Sequence, residues 1–193
     1  MRVIAGRLRS RPLLAPAGQD TRPTADRLRE TLFNVLTQGA IDRVDGAQFL
    51  DLYAGSGAVG IEALSRGAAA VTFVEQAQGA LAVLRKNLDA LGLRGENASV
   101  EKLKVARYLK SESEKSKAGF EVVFLDPPYD LVAEYVATLG LLGGECASLL
   151  APDGMVVAEH RKKHSLDASY GELVRVRVVE QGDAALSFYQ LGK

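Results

Sequence analysis

The sequence has one cysteine, two histidines and no excess of either charge, with 24 lysines and arginines against 24 acids. One thiol can form neither an internal disulfide nor a cysteine cluster around a metal. Cys146 sits in LLGGECASLL and reads as a core residue, not a nucleophile. A zero balance gives no argument from composition for binding nucleic acid. No apolar run is long enough to span a membrane, and no signal-peptide pattern precedes the first motif. The expectation is a soluble, cytoplasmic protein. Neither histidine lies in a pattern that points to a general base, and no metal is expected.

What is present is unevenly placed. Within residues 1–30 stand Arg2, Arg7, Arg9, Arg11, Arg22, Arg27 and Arg29 against Asp20, Asp26 and Glu30. A basic arm on a slightly acidic body fits either contact with a polyanion or a merely solvated segment. Residues 1–23 read as an extended arm or small hairpin, and residues 24–193 as one domain. With 47% hydrophobic residues the chain can bury a sizeable core.

Thr24 is placed to cap a helix running to about residue 38, with Leu28, Leu32, Val35 and Leu36 at helical spacing. From residue 47 onward, strands alternate with helices. Strands are expected at 47–53, 70–75, 98–103, 120–126 and 154–160; helices at 58–67, 77–91 and about 131–149. SESEKSKAG, residues 111–119, reads as a polar loop. LVRVRVV and AALSFYQL, joined by QGD, read as an antiparallel hairpin at one edge. This order predicts an α/β, doubly wound and mostly parallel sheet with helices on both faces.

GSGAVG follows the first strand of that sheet, and Glu75 closes the next strand twenty residues after Gly55. Glycines there permit a tight turn and close backbone approach, and the acid can accept hydrogen bonds from a ribose. A dinucleotide and S-adenosylmethionine both satisfy this pattern. Asp51 shifts the weight. It lies at the end of the strand before the loop, where it suits a methionine ammonium group and repels a pyrophosphate.

FLDPPYDL, residues 124–131, ends a nearly unbroken apolar strand. Pro127 and Pro128 fix φ, and each restricts the residue before it, so Asp126 stands on a stiff tip. Such a tip suits methylation of an exocyclic amine on a base. The amine lone pair is delocalised into the ring, and acceptors on its N–H groups turn it towards a methyl donor. The Asp126 carboxylate and the Pro127 carbonyl are two such acceptors, and they also stabilise positive charge developing on nitrogen. Tyr129 can stack on a base taken out of its own stack.

The combination resembles the amino-methyltransferases of nucleic acids. VIAGRLRSRPLLAPAG, TRPTADRLRETLFNVL, FLDLYAGSGAVGIEALSRGA and FLDPPY resemble, more narrowly, the RsmD-type family, which methylates a guanine N2 in bacterial 16S ribosomal RNA. The blocks cover Val3 to Tyr129. The resemblance implies a Rossmann-like methyltransferase fold with a small amino-terminal hairpin, and S-adenosylmethionine as cofactor. It places Asp51, Ala54, Gly55 and Gly57 at the methionine end, Glu75 at the ribose, and Asp126, Pro127, Pro128 and Tyr129 at the target guanine. Related enzymes often carry an Asp or Asn near the adenine; here Lys104 and Val105 stand at that place, so a backbone contact is expected.

The implied partner is ribosomal RNA or the small ribosomal subunit, met by a monomer. Arg2, Arg7, Arg9, Arg11 and Arg22 are the expected phosphate contacts. The run HRKKH, between His160 and His164, reads as a solvated loop or a further RNA contact. Alternative functions are a DNA adenine-N6 methyltransferase, a nicotinamide-dependent oxidoreductase and a non-catalytic RNA-binding module. The first usually needs a separate recognition domain, the second rests on the glycine loop and Glu75 alone, and the third needs neither loop nor tip.

Overall fold

The computed structural model describes residues 1–15, 23–39, 41–93, 95, 97–115, 119–128 and 131–192. In chain order the elements are α1 (Pro23–Thr37), β1 (Gln48–Leu52), α2 (Ala58–Ser65), β2 (Ala70–Val74), α3 (Gln78–Ala90), β3 (Ala98–Glu101), α4 (Val105–Ser113), β4 (Phe120–Leu125), α5 (Val132–Leu142), β5 (Leu150–Arg161), β6 (Ser169–Tyr170), β7 (Leu173–Gln181) and β8 (Ala184–Leu191). One eight-stranded sheet has the order β3-β2-β1-β4-β5-β8-β7-β6. Its first five members are parallel, and β8, β7 and β6 add antiparallel pairs.

Strand residues alternate between two cores. Phe49, Val122, Phe124 and Val157 pack with α1, α2 and α3 on one face. Leu50, Leu52, Val123, Leu125 and Val156 pack with α4 and α5 on the other. A strand buried on both faces needs an apolar residue at nearly every position, which is why FEVVFL shows no alternation. The helices change faces between the β1–β2–β3 half and the β4–β5 half, so β1 and β4 flank the switch point.

The sequence reading needs correction in several places. α4 begins inside what reads as the approach to a loop and runs into the segment 111–119; its apolar stripe is short, Val105, Tyr108 and Leu109. α5 stops at Leu142, not near 149, where the Gly143-Gly144 pair is poor helix material; Gly143 also passes so close to Tyr170 that a Cβ would lie 1.7 Å from its carbonyl oxygen. The expected edge hairpin is present, but β8 is interior and β6 extends the sheet beyond β7. His160, read as part of an exposed run, is buried. α1 starts at Pro23, where a missing N–H is tolerated; the Thr24 side chain lies outside the described residues.

The amino-terminal hairpin closes through an Arg2↔Pro12 bridge, with Val3 N donating to Arg11 O at 3.0 Å. It is not a separate body. Val3 and Leu13 join the core under α1 to α3. The Glu62 carboxylate on α2 accepts the amides of Ile4 (2.7 Å) and Ala5 (3.0 Å) and the Arg66 guanidinium (2.7 Å). Ser65 Oγ accepts the Leu8 amide at 2.9 Å. Gly6, at φ 77, has Ser65 O where a Cβ would sit, so glycine is required there.

Candidate active site

The glycine loop is held from below. Ala54 N donates to Val74 O at 3.1 Å, and Gly57 N to Ala54 O at 2.7 Å. Gly55 and Gly57 have φ of 56 and 79. At Gly57 and Gly60 a Cβ would lie 2.3 Å from Leu84 Cδ1 and Phe73 Cε1 respectively, so loop and helix press directly on α3 and β2. Asn87 Nδ2 on α3 donates to Ser56 O at 2.9 Å and to Leu14 O at 3.0 Å, tying the segment after the hairpin to the loop.

Two acids brace this arrangement. Asp51 Oδ2 accepts the Gly60 amide at 2.9 Å. The residue is only 2% exposed, so its first contact is with the turn that begins α2. Burial pushes its carboxyl up to about 8 against the relief given by Gly60, and Glu75 adds to the rise. Glu75 accepts two amides, Gly55 N on Oε2 (2.9 Å) and Ala77 N on Oε1 (2.8 Å). A cleft of about 190 Å³ opens beside it, lined by Tyr53, Val74, Glu75, Gln76, Leu103, Lys104, Val105, Ala106 and Glu134. The larger hollow around Arg43, Glu121 and Asp153 lies at the amino ends of the strands, away from the switch point.

Tyr53 was not singled out in the sequence. It is one of two described non-glycine residues with positive φ, at 59. That backbone costs energy for a side chain of this size and is held by its hydroxyl, 2.8 Å from both Glu134 Oε2 and Thr138 Oγ1 on α5. The aromatic ring therefore joins the cofactor loop to the helix that follows the tip.

The tip stands at the end of β4. Asp126 is half-buried by surface, and its carboxyl is raised well above the usual range, first by desolvation and then by the charges of Glu159 and Asp51. Strand alternation explains this grouping. Asp51, Asp126 and Glu159 extend the same face as Phe49, Phe124 and Val157, on three neighbouring strands. Pro127 is buried and Pro128 exposed. Tyr135 on α5 donates to Glu159 O at 2.9 Å and, at 3.4 Å, weakly to Pro127 O. Leu131 N closes the tip on Pro128 O at 2.8 Å. Tyr129 and Arg22 lie outside the described residues.

The hairpin arginines sit elsewhere. Arg7 Nε reaches Leu64 O at 3.4 Å and Arg11 Nη2 reaches Ala90 O at 3.3 Å. Both carbonyls are at the carboxyl ends of helices, α2 and α3, where a cation is favourable. Those ends lie at the amino edge of the sheet, opposite the tip. Arg2 and Arg9 are exposed.

The site suits the expected cofactor. Its loop has backbone where side chains cannot fit, its neighbouring cleft is lined by Glu75 at the end of the next strand, and its buried acids favour a ligand carrying positive charge. Ribosomal RNA small subunit methyltransferase D of Escherichia coli (strain K12) is 35% identical over 192 residues, 98% of this chain and 89% of that one. The protein of the same name from Haemophilus influenzae is 41% identical over 129 residues, 67% of this chain and 64% of that one. The solved structure of yhhF from Escherichia coli has a TM-score of 0.81 at 32% identity, covering 100% of this chain and 98% of that chain. At the level of fold alone the likeness extends to SMU.776, solved in complex with SAH, with TM-score 0.66, 15% identity and coverage of 86% and 48%.

Fold and site together define a Rossmann-like methyltransferase that uses S-adenosylmethionine. The nicotinamide and non-catalytic alternatives fall with that assignment. The chain belongs to the family described as Conserved hypothetical protein 95, the RsmD-type ribosomal RNA methyltransferases, whose model matches residues 1–190.

Proposed function

We propose that this protein methylates the exocyclic N2 amine of a guanine in 16S ribosomal RNA, in the cytoplasm and as a monomer. The observation that carries the reading is the pair of strand ends at the switch point. β1 delivers the glycine loop and β4 delivers Asp126, in register Leu52↔Leu125, so both stand side by side at the carboxyl edge of the sheet.

S-adenosylmethionine supplies an electrophilic methyl group when bound. Ala54, Gly55 and Gly57 would hold its methionine end by backbone, with Asp51 acting through its charge and through the α2 turn it fixes. Glu75 keeps lone pairs on both oxygens for ribose hydroxyls, beside the two amides it already accepts. Lys104 and Val105 line the same cleft as Glu75, and their backbone would meet the adenine.

Asp126 accepts one N–H of the target amine, and Pro127 O accepts the other, since its bond from Tyr135 is long. As the N–C bond forms, positive charge grows on the amine and strengthens both contacts. The proton it then loses passes to Asp126, whose burial makes it a better base than an ordinary carboxylate. Tyr129 is the stacking partner for the guanine in this reading. Arg2, Arg7, Arg9 and Arg11 take RNA phosphates away from the target nucleotide, and Arg22 is a further phosphate contact in this reading.

Transfer of labelled methyl groups to unmodified 16S ribosomal RNA and to assembled small subunits, followed by digestion to nucleosides, tests it. N2-methylguanosine is the expected product. N6-methyladenosine, or label appearing only in DNA, would refute it.

A further inference from the structure

The hairpin arginines lie at the amino edge, so they do not account for how the RNA is held at the tip. A basic turn on the opposite edge stands beside it. β4 and β5 are parallel, with Leu125 level with Ala158. β5 continues three residues further, to Arg161, before turning. At about 3.3 Å per residue this carries the turn roughly 10 Å beyond the level of Leu125, one strand spacing of about 4.8 Å to the side. The turn is Arg161, Lys162, Lys163 and His164, the run that the catalytic assignment leaves unused, and its first three members are exposed.

The turn is also rigid. His160 beneath it is buried, and its Nδ1 lies 3.0 Å from Arg161 O. A carbonyl only accepts, so Nδ1 carries the hydrogen and Nε2 accepts from Ser187 Oγ at 2.9 Å. Burial lowers the proton affinity of His160, so it anchors as a neutral ring. Lys162 N donates to Asp183 O at 2.8 Å, and His164 N to Arg161 O at 2.9 Å. Glu180 tempers the charge of Lys162: its Oε2 lies 2.6 Å from Lys162 Nζ, both side chains being about half exposed.

We propose that the Arg161–His164 turn is the phosphate-binding surface next to the target nucleotide, with Lys162 and Lys163 holding the RNA backbone beside the tip. The proposal rests on the RNA methyltransferase reading. It gives Glu180 a part as well, since a carboxylate paired to Lys162 competes with a phosphate for the same ammonium group.

The test uses the full chain and whichever of unmodified 16S ribosomal RNA or assembled small subunits the parent protein methylates. Lys162→Gln/Lys163→Gln should raise KM for RNA several-fold and flatten the salt dependence of binding by roughly 1.4 log units, about 0.7 per single-strand contact. Cofactor affinity, measured by calorimetry, should match the parent. Glu180→Gln should move KM the other way, which loss of a structural ion pair would not do. Parental KM and salt slope in the double variant, alongside an active parent, would overturn this proposal alone. A parent protein inactive on both RNA substrates would overturn it together with the function on which it rests.

Discussion

Glu75 and Gly55 are joined by a 2.9 Å hydrogen bond from the loop amide to the carboxylate, and the second oxygen of the same carboxylate holds Ala77 at 2.8 Å. The acid that the motif offers to a ribose is thus also the clip that sets the glycine loop against the first turn of α3.

This double duty makes Glu75→Gln a poor rescue. A glutamine has one acceptor oxygen, and its NH2 would face one of two donating amides. Calorimetry should show both Glu75→Ala and Glu75→Gln losing roughly 1.5–3 kcal/mol of cofactor affinity, the range for a hydrogen bond to a charged group. Affinity equal to the parent in the alanine variant would remove Glu75 from the ribose site.

Asp126 is expected to divide binding from chemistry. Asp126→Ala should lower kcat by about 10²–10³, the usual effect of removing one transition-state partner, with a much smaller change in cofactor binding. Asp126→Asn should be milder, because it keeps one acceptor oxygen while losing the proton acceptor. Single-turnover methyl transfer separates these cases, and a parental rate in Asp126→Ala would end the amine-clamp account.

Asp51 makes folding and cofactor binding depend on pH in a defined direction. Its folded carboxyl is raised from 3.8 to about 8. Its contribution to stability is therefore fully present below about pH 4 and is lost as pH rises towards 8, because the unfolded chain releases the proton first. Asp51→Asn should raise the melting temperature of the cofactor-free protein at pH 8 and leave it nearly unchanged near pH 4. Cofactor binding to the parent near pH 7 should release a proton, seen as a buffer-dependent calorimetric enthalpy; the asparagine variant should show less of it. Equal shifts in melting temperature at both pH values would contradict the burial argument.

Glu62 holds the hairpin to the body. With no exposed side-chain surface it faces Arg29 and Arg66 and accepts two hairpin amides. Glu62→Ala leaves the partly buried Arg66 guanidinium and the Ile4 and Ala5 amides without their acceptor, while Arg29 keeps Asp26 at 3.0 Å, and should cost about 3–5 kcal/mol in denaturant unfolding. Replacing Arg7, Arg9 and Arg11 together with alanine should cost far less, since the bonds of Arg7 and Arg11 are long. An unfolding midpoint for Glu62→Ala within error of the parent would show that the hairpin is fastened by other means.

Much of the site was legible because its chemistry is local. Asp51, the glycines and Glu75 fall within 25 residues of sequence, and the stiffness of Asp126-Pro127-Pro128 follows from proline geometry alone. The parallel sheet was equally open to reading, since FEVVFL can be buried on both faces and nowhere else. What stayed hidden depends on partners far along the chain. Tyr53 gives no sign that its hydroxyl meets Glu134 and Thr138, and Glu62 looks like a surface acid in an apolar helix until the hairpin amides reach it. Lys104 marks the start of α4 without any capping side chain, so the helix passed for loop. The amino-edge position of Arg7 and Arg11 is set by the path of α2 and α3 around the sheet, which charge counting does not see.

The interior place of β8 sets an order of events in folding. β8 is bordered by β5 on one side and β7 on the other, yet the chain reaches it through β7. The turn at Gly182, with φ 61, lets β7 and β8 zip together locally, which takes microseconds. The finished hairpin then has to dock β8 onto β5 as a unit. Until it does, β5 presents a long strand edge carrying Val156, Val157 and Ala158, an open template for another chain. Refolding yield should consequently fall as protein concentration rises, with losses set by the interval before docking.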